Sequence, residues 1–472
     1  MLKRYEDLRD SDIDTFLDPD EYADVAEYYH SNGDNEAALE AVERALEIFP
    51  GAIAPLCFRA RYALIVEGDI NKANALAEQI EDKFQVEYVY LKAELLIADN
   101  KMEEANTYLE QQMQYLEDVD EYALDIASML MEYEEIDYAE KWLKRCNLTE
   151  DNEYKELSAR IMLRRGNYEE SERLFNELID SDPYSSSYWN QLASSQFLHN
   201  NIQDSITSSE FSLAINPDDD EALLNKANAL FTLGNHREAL IFYKRFVEKQ
   251  PENESAVMMV GITLSHLQRL DEALDYLEKA VVLSEDHNND INFQQALQEL
   301  TYLEDVMGNT EGALHNVDRM DQYLRKHHRS EMQFAKLVHI PRGYILLEHK
   351  RFEEAIQEFQ HAFILAQGNP EIIYYICIAV YDTGYFRLAY KLFGVLFRMV
   401  SDDWRDGYAY YARCCLLVGD MEDFDAAVKK AVAVNPEEAR FALEVLYPEG
   451  TQPEDYPTTP LKNLSIDKEE QV

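Results

Sequence analysis

The side chains of this 472-residue chain that could do chemistry are its 11 histidines, 5 cysteines and 92 carboxylates. Their spacing builds no familiar centre. No HExxH zinc motif occurs, and Glu348-His349 has no second histidine four residues on from the first. His327-His328 are adjacent, so on a helix they point about 100° apart. Arg325, Lys326 and Arg329 around them would also repel a cation. Neither a phosphate-cradling GxxxxGK[ST] nor a GxSxG nucleophile turn occurs. Carboxylate pairs such as Glu134-Glu135 and Asp402-Asp403 are frequent at this acid content and mark no dyad. Cys57, Cys146, Cys377, Cys414 and Cys415 make an odd set without CxxC spacing, which suits buried thiols in a reducing compartment. The expectation is a chain with no catalytic residues, no metal and no cofactor.

What must be positioned is therefore a surface, and the small residues say how. Ala38, Ala73, Ala105, Ala139, Ser171, Ser205, Ala239, Ala273, Ala313, Ala355, Ala389 and Phe424 recur at steps of 35, 32, 34, 32, 34, 34, 34, 40, 42, 34 and 35. A period near ~34 residues marks stacked helical hairpins. In 186–219, Trp189, Leu192, Ala193 and Gln196 follow helical spacing, a polar HNN turn comes next, and Asn216-Pro217 stops the second helix. The next unit repeats the plan with Ala227, Gly234, Ala239, Tyr243 and Pro251. Residues 22–50 show it with Ala26, Tyr29, Gly33, Ala38, Ala45 and Pro50. Residues 405–436 show it with Ala412, Gly419, Ala431 and Pro436. Small residues let the paired helices approach, large ones a turn away fill the gaps, and each hairpin leaves an apolar face that a neighbour must cover.

These residues resemble the tetratricopeptide repeat (TPR) family over about 19–446, or roughly twelve units. The resemblance implies an all-α, right-handed superhelical solenoid whose first helices line a concave groove. By register it places Asn190, Gln191, Asn225, Asn228, Met258 and Met259 in that groove, where amides suit a peptide backbone and methionines adapt to varied side chains. It places Tyr344, Tyr374, Tyr375, Tyr381 and Tyr410 in the last units, facing either ligand or their own core. Glu87, Glu94, Asp125, Glu153 and Glu156 would make an earlier stretch acidic. Asn225 matches the middle residue of the family's carboxylate clamp. The flanking Asn190, Ser194, Ser255 and Met259 lack the clamp's basic groups, so that mode is not expected.

The organisation follows from the same pattern. Residues 1–18 form an extension or short helix, 19–285 a first block of about eight repeats and 286–436 a second of about four. Residues 437–446 make a capping helix, and 447–472, with four prolines, an extended or disordered tail. The two long steps place insertions near Ser284–Asn292 and Arg325–Glu331, and Pro341 predicts a kink or late helix start. Either the stacking divides there, or the helices are simply longer and the stacking unbroken.

Net charge is −49 but uneven: −25 over 1–160, −17 over 161–320, +2 over 321–400 and −9 over 401–472. Phosphate contacts need clustered bases, so nucleic acid and anionic membranes are not expected partners. The N-terminus has no signal-like apolar core, and no apolar run approaches ~18 residues, so the expected location is cytoplasmic. The expected function is a non-enzymatic scaffold that binds a protein or peptide in the concave groove, the acidic charge permitting a basic one. The alternatives are a self-associating structural protein, that is a homo-oligomer, or an acidic module that occupies a basic partner site.

Overall fold

The structure, a computed structural model, describes residues 2, 4, 5, 17–115, 118–459, 461 and 462. Among them the regular structure is helical: twelve antiparallel hairpins and a closing helix. The chain divides into two compact units, Met1–Asn225 and Lys226–Val472, with the division inside helix Asp220–Thr232.

In the first unit the array opens at Asp18, whose side chain accepts from the Glu21 amide while Glu21 reaches back to the Asp18 amide; Pro19 fills the first helical turn. Helices Pro19–Ser31 and Asn35–Ile48 pair as the first hairpin, and five more hairpins and the start of a further helix follow to Asn225. Tyr5, from the segment expected as an extension, is fully buried against Tyr22. The rest of that segment lies mostly outside the described residues.

All twelve periodic positions are buried: eleven are 0% exposed and Phe424 is 3%. The turn between the two helices of each hairpin carries the same period. A residue five positions before each small one takes positive φ, from Gly33 (81°) to Gly419 (87°). Only seven of these twelve are glycine. Asn100, Glu134, Asn200, Gln268 and Lys350 adopt φ of 58–65° at a steric cost that glycine would avoid. The next amide closes the turn back onto the helix, as in Asp34 N–H to Tyr29 O at 2.9 Å and Asn201 N–H to Gln196 O at 2.8 Å.

In the second unit the close approach of paired helices is tightest at Gly261 and Gly343. A Cβ there would lie 2.8 Å from Leu277 Cγ and 2.5 Å from Phe359 Cε1. The expected block boundary at 285 does not appear. Helices Leu270–Asp286, Asp290–Val306 and Thr310–Lys326 are each 17 residues long, and each packs along the next. The extra residues went into helix length, so Ser284 and Arg325 are helical and only short turns separate the helices.

Pro341 does not delay its helix either. Helix Glu331–Phe334 starts under a Ser330/Gln333 capping box and passes through a π-helical turn, Ala335–His339, into Ile340–Glu348. Ile340 N–H reaches Ala335 O, and the widened turn accommodates a residue with no amide to give.

The tail expectation is corrected over its described part. Residues 436–446 form helix Pro436–Leu443 and a 3-10 turn, Glu444–Leu446, and the chain then folds back. Tyr447 and Tyr456 are 1% and 2% exposed and stack at 4.2 Å with planes 4° apart. Proline content gave these residues a disordered look, but two buried rings outweigh the ordering cost. Residues 463–472 lie outside the described residues.

All five cysteines are free and buried. Burial pushes the Cys57 thiol up to about 11 and those of Cys414 and Cys415 up to about 12, so none is poised as a nucleophile.

Candidate peptide groove

The first helices of hairpins two to five are Ile53–Ile65, Val86–Ala98, Val119–Glu132 and Asn152–Arg164. Side chains three and four residues apart on each share one face. Arg61 and Ile65, Tyr90 and Glu94, then Asp125, Met129 and Glu132 therefore converge with Tyr133 and Glu153 on one cavity of about 700 Å³ in the first unit. The walls are aromatic and aliphatic. The charge is four carboxylates against one guanidinium.

That guanidinium is committed: Arg61 Nε donates to Glu94 Oε2 at 2.7 Å. Tyr90 donates its hydroxyl to Asp125 Oδ2 at 2.7 Å and stacks on Tyr122. Glu132 meets Arg160 at 3.1 Å and remains largely exposed. Glu153 is held above the ordinary carboxylate range, first by partial burial and then by Asp125, Asp151, Glu156 and Glu121. Burial and the nearby Glu94 push the Tyr133 hydroxyl up to about 12. A cation entering here would relieve repulsion already present.

The amides placed in the groove by register are engaged elsewhere. Asn190 is 2% exposed, and its Nδ2 donates to Asp219 Oδ1 at 2.8 Å. Gln191 donates to Glu221 at 3.0 Å, and Asn225 donates to Asn190 O and Ser194 Oγ, both at 3.2 Å. These amides staple one first helix to the next. In the second unit Asn228 accepts from the Tyr243 hydroxyl at 2.7 Å. Met258 is 4% exposed, while Met259 is half-buried.

The late tyrosines separate into two places. Tyr374, Tyr375, Tyr381 and Tyr410 gather in one core cluster, with Tyr381 and Tyr410 in edge contact at 5.2 Å. Tyr375 donates to Glu371 at 3.2 Å under the ammonium of Lys336. Tyr344 also touches that cluster but lines a separate cavity of about 210 Å³ with Tyr302, Asp305 and Pro341.

A second surface was not foreseen. Second helices Phe352–Leu365 and Phe386–Met399 flank an apolar groove of about 480 Å³ floored by Ile373, Ile376 and Val380. Gln360 is its one polar lining residue, and Ile364 stands 68% exposed on its rim. The signal in the sequence was surplus. Ala355, Phe359 and Ala362 already supply the buried stripe, so Ile356, Phe363 and Ile364 are left exposed.

A family model described as tetratricopeptide repeat matches residues 190–254 and again 224–288, and a second of the same description matches 22–51. The chain carries tetratricopeptide repeats. Its fold is the all-α solenoid of that family, a typically non-enzymatic family whose arrays serve as scaffolds for protein–protein interaction. Among curated proteins, none matches. Similar solved structures include MamA 41-end from Desulfovibrio magneticus RS-1, 18% identical, covering 37% of this chain and 96% of that one with a TM-score of 0.35. A tetratricopeptide repeat protein from Parabacteroides merdae ATCC 43184 is 14% identical, with coverages of 62% and 97% and a TM-score of 0.42. YrrB, described as a TPR protein with an unusual peptide-binding site, is 18% identical, with coverages of 42% and 95% and a TM-score of 0.33. Among the described residues of the TPR chain, no helix is long and apolar enough to cross a membrane.

Proposed function

We propose that this TPR protein binds a basic, extended segment of a protein partner in the groove of hairpins two to five. The convergence of Glu94, Asp125, Glu132 and Glu153 between Tyr90 and Tyr133 carries this reading. Lysine and arginine stems would pack on the rings while their charges meet the carboxylates. The wider negative charge would steer such a partner inward. Five free, buried thiols support a reducing, cytoplasmic setting.

The test uses labelled decapeptides of Gly/Ser with either Lys/Arg, Glu or no charged residues. The basic peptide should bind best, and more weakly as salt rises. Reversing charge in Glu132→Lys/Glu153→Lys should weaken it by roughly tenfold or more. Equal affinity for the three peptides, or binding unchanged by the double reversal, would sink the reading.

A second reading rests on the apolar groove and has a second copy of this chain as occupant. Helix Phe386–Met399 carries Arg387, Lys391 and Arg398 and no acid. The closing helix presents Phe441, 81% exposed, beside Glu437, and the 3-10 turn after it presents Val445, 55% exposed, beside Glu444. Two apolar knobs with acids beside them fit an apolar groove whose flanking helix carries bases. Light scattering at tens of micromolar should report a dimer, and Phe441→Asp and Ile364→Asp should each yield monomer with unchanged helicity. A wild-type monomer at that concentration would exclude the dimer.

A further inference from the structure

The π-helical turn Ala335–His339 brings His339 against helix Phe352–Leu365 of the same hairpin. On that helix Glu358 and His361 stand three residues apart and so share a face. His339 Nδ1 lies 2.6 Å from Glu358 Oε2, and the two imidazole centroids are 5.5 Å apart. One donor atom from each of the three residues lies within 4.8 Å of the other two. Neither the acidic groove nor the apolar one is lined by these groups.

We propose that His339, Glu358 and His361 form a binding site for a divalent zinc ion. Two imidazole nitrogens and one carboxylate oxygen are a donor set that zinc accepts, with water in the fourth position. Donors around tetrahedral zinc sit roughly 3.3 Å apart, so side-chain rotation of about 1.5 Å closes the set. His361 is exposed, which leaves an entry path, while His339 and Glu358 are largely buried and pre-placed. Glu358 must be ionised to ligate. The His339 hydrogen bond at 2.6 Å and the Arg342 guanidinium at 3.8 Å both favour the ionised carboxylate.

Arg342 is the natural objection, since Nη1 lies 3.8 Å from Glu358. Its nearer partner is Asp318, at 2.6 Å, and that contact survives if the guanidinium yields Glu358 to a metal. The ion would tie the widened turn to the second helix of its own hairpin. A π-helical turn is a costly local geometry often kept where a side chain must be aimed.

The experiment titrates zinc chloride into the full chain by calorimetry in excess magnesium, which occupies weak carboxylate sites. Wild type should bind one more equivalent of zinc than His361→Ala or Glu358→Gln. Cobalt should give tetrahedral visible bands in wild type alone. His315→Ala, at a histidine outside the cluster, should behave as wild type. His361 is exposed, so its loss leaves the fold in place, and circular dichroism checks this. Equal zinc stoichiometry and affinity in wild type, His361→Ala and Glu358→Gln would overturn the site, whatever groove peptides do.

Discussion

Replacing Trp142 with alanine should destabilise the first unit by about 3–5 kcal/mol, the usual range for emptying a fully buried indole site. Trp142 is 0% exposed on the short helix Ile136–Leu143. Its ring meets Tyr122 edge-on at 6.0 Å, its Nε1 donates to Asn106 Oδ1 at 2.9 Å, and Arg145 lies over its face. Tyr122 in turn stacks on Tyr90, so the same loss loosens the wall of the acidic groove. Long arrays break two-state behaviour, so the change belongs to the earliest urea transition, followed by circular dichroism. Trp142→Phe keeps most of the volume and should retain more than half of that stability. A fall below about 1 kcal/mol in Trp142→Ala would mean that the indole is not the keystone its contacts describe.

Tyr456→Ala should cost a similar ~3–5 kcal/mol, and deleting everything after Leu446 should cost more. Tyr447 and Tyr456 cover Phe424, Val428, Ala439 and Leu443, which otherwise face water at the array's end. Lys462 N–H donates to Leu446 O at 2.9 Å and fastens the return strand of chain. Without the rings, the last hairpin, Tyr408–Val418 with Met421–Val434, loses the cover that a terminal repeat needs. Limited trypsin digestion at Lys429 and Lys430 reads this directly. A truncated chain with unchanged melting and the same resistance to trypsin would show that the fold-back is ornamental.

The period was legible because two independent features carry it. The small residue at each helix start and the left-handed residue five positions before it repeat with the same steps, even where the latter is Glu134, Gln268 or Lys350. What pairs with what across repeats was less legible. Asn190 looks like a groove amide until Asp219, one unit on, is seen to take its donor. The acidic groove was partly readable, since Glu94, Asp125 and Glu153 fall on first helices. The apolar groove was not, because each of its residues alone resembles ordinary packing. The π-helical turn lay beyond reach: a proline marks trouble in a helix but not how the backbone resolves it.

The core clusters are also local in sequence, and that bears on how the chain comes to be made. The cluster around Leu56, Cys57, Ile80, Tyr88 and Leu95 draws on no residue beyond Leu95. A chain emerging from the ribosome can therefore close this core long before its last third exists. Burial then keeps pace with synthesis, and the core still uncovered at any moment belongs mainly to the newest hairpin. Residues 1–160, the first to emerge, carry −25 of the −49 net charge, which keeps early nascent chains apart from their neighbours.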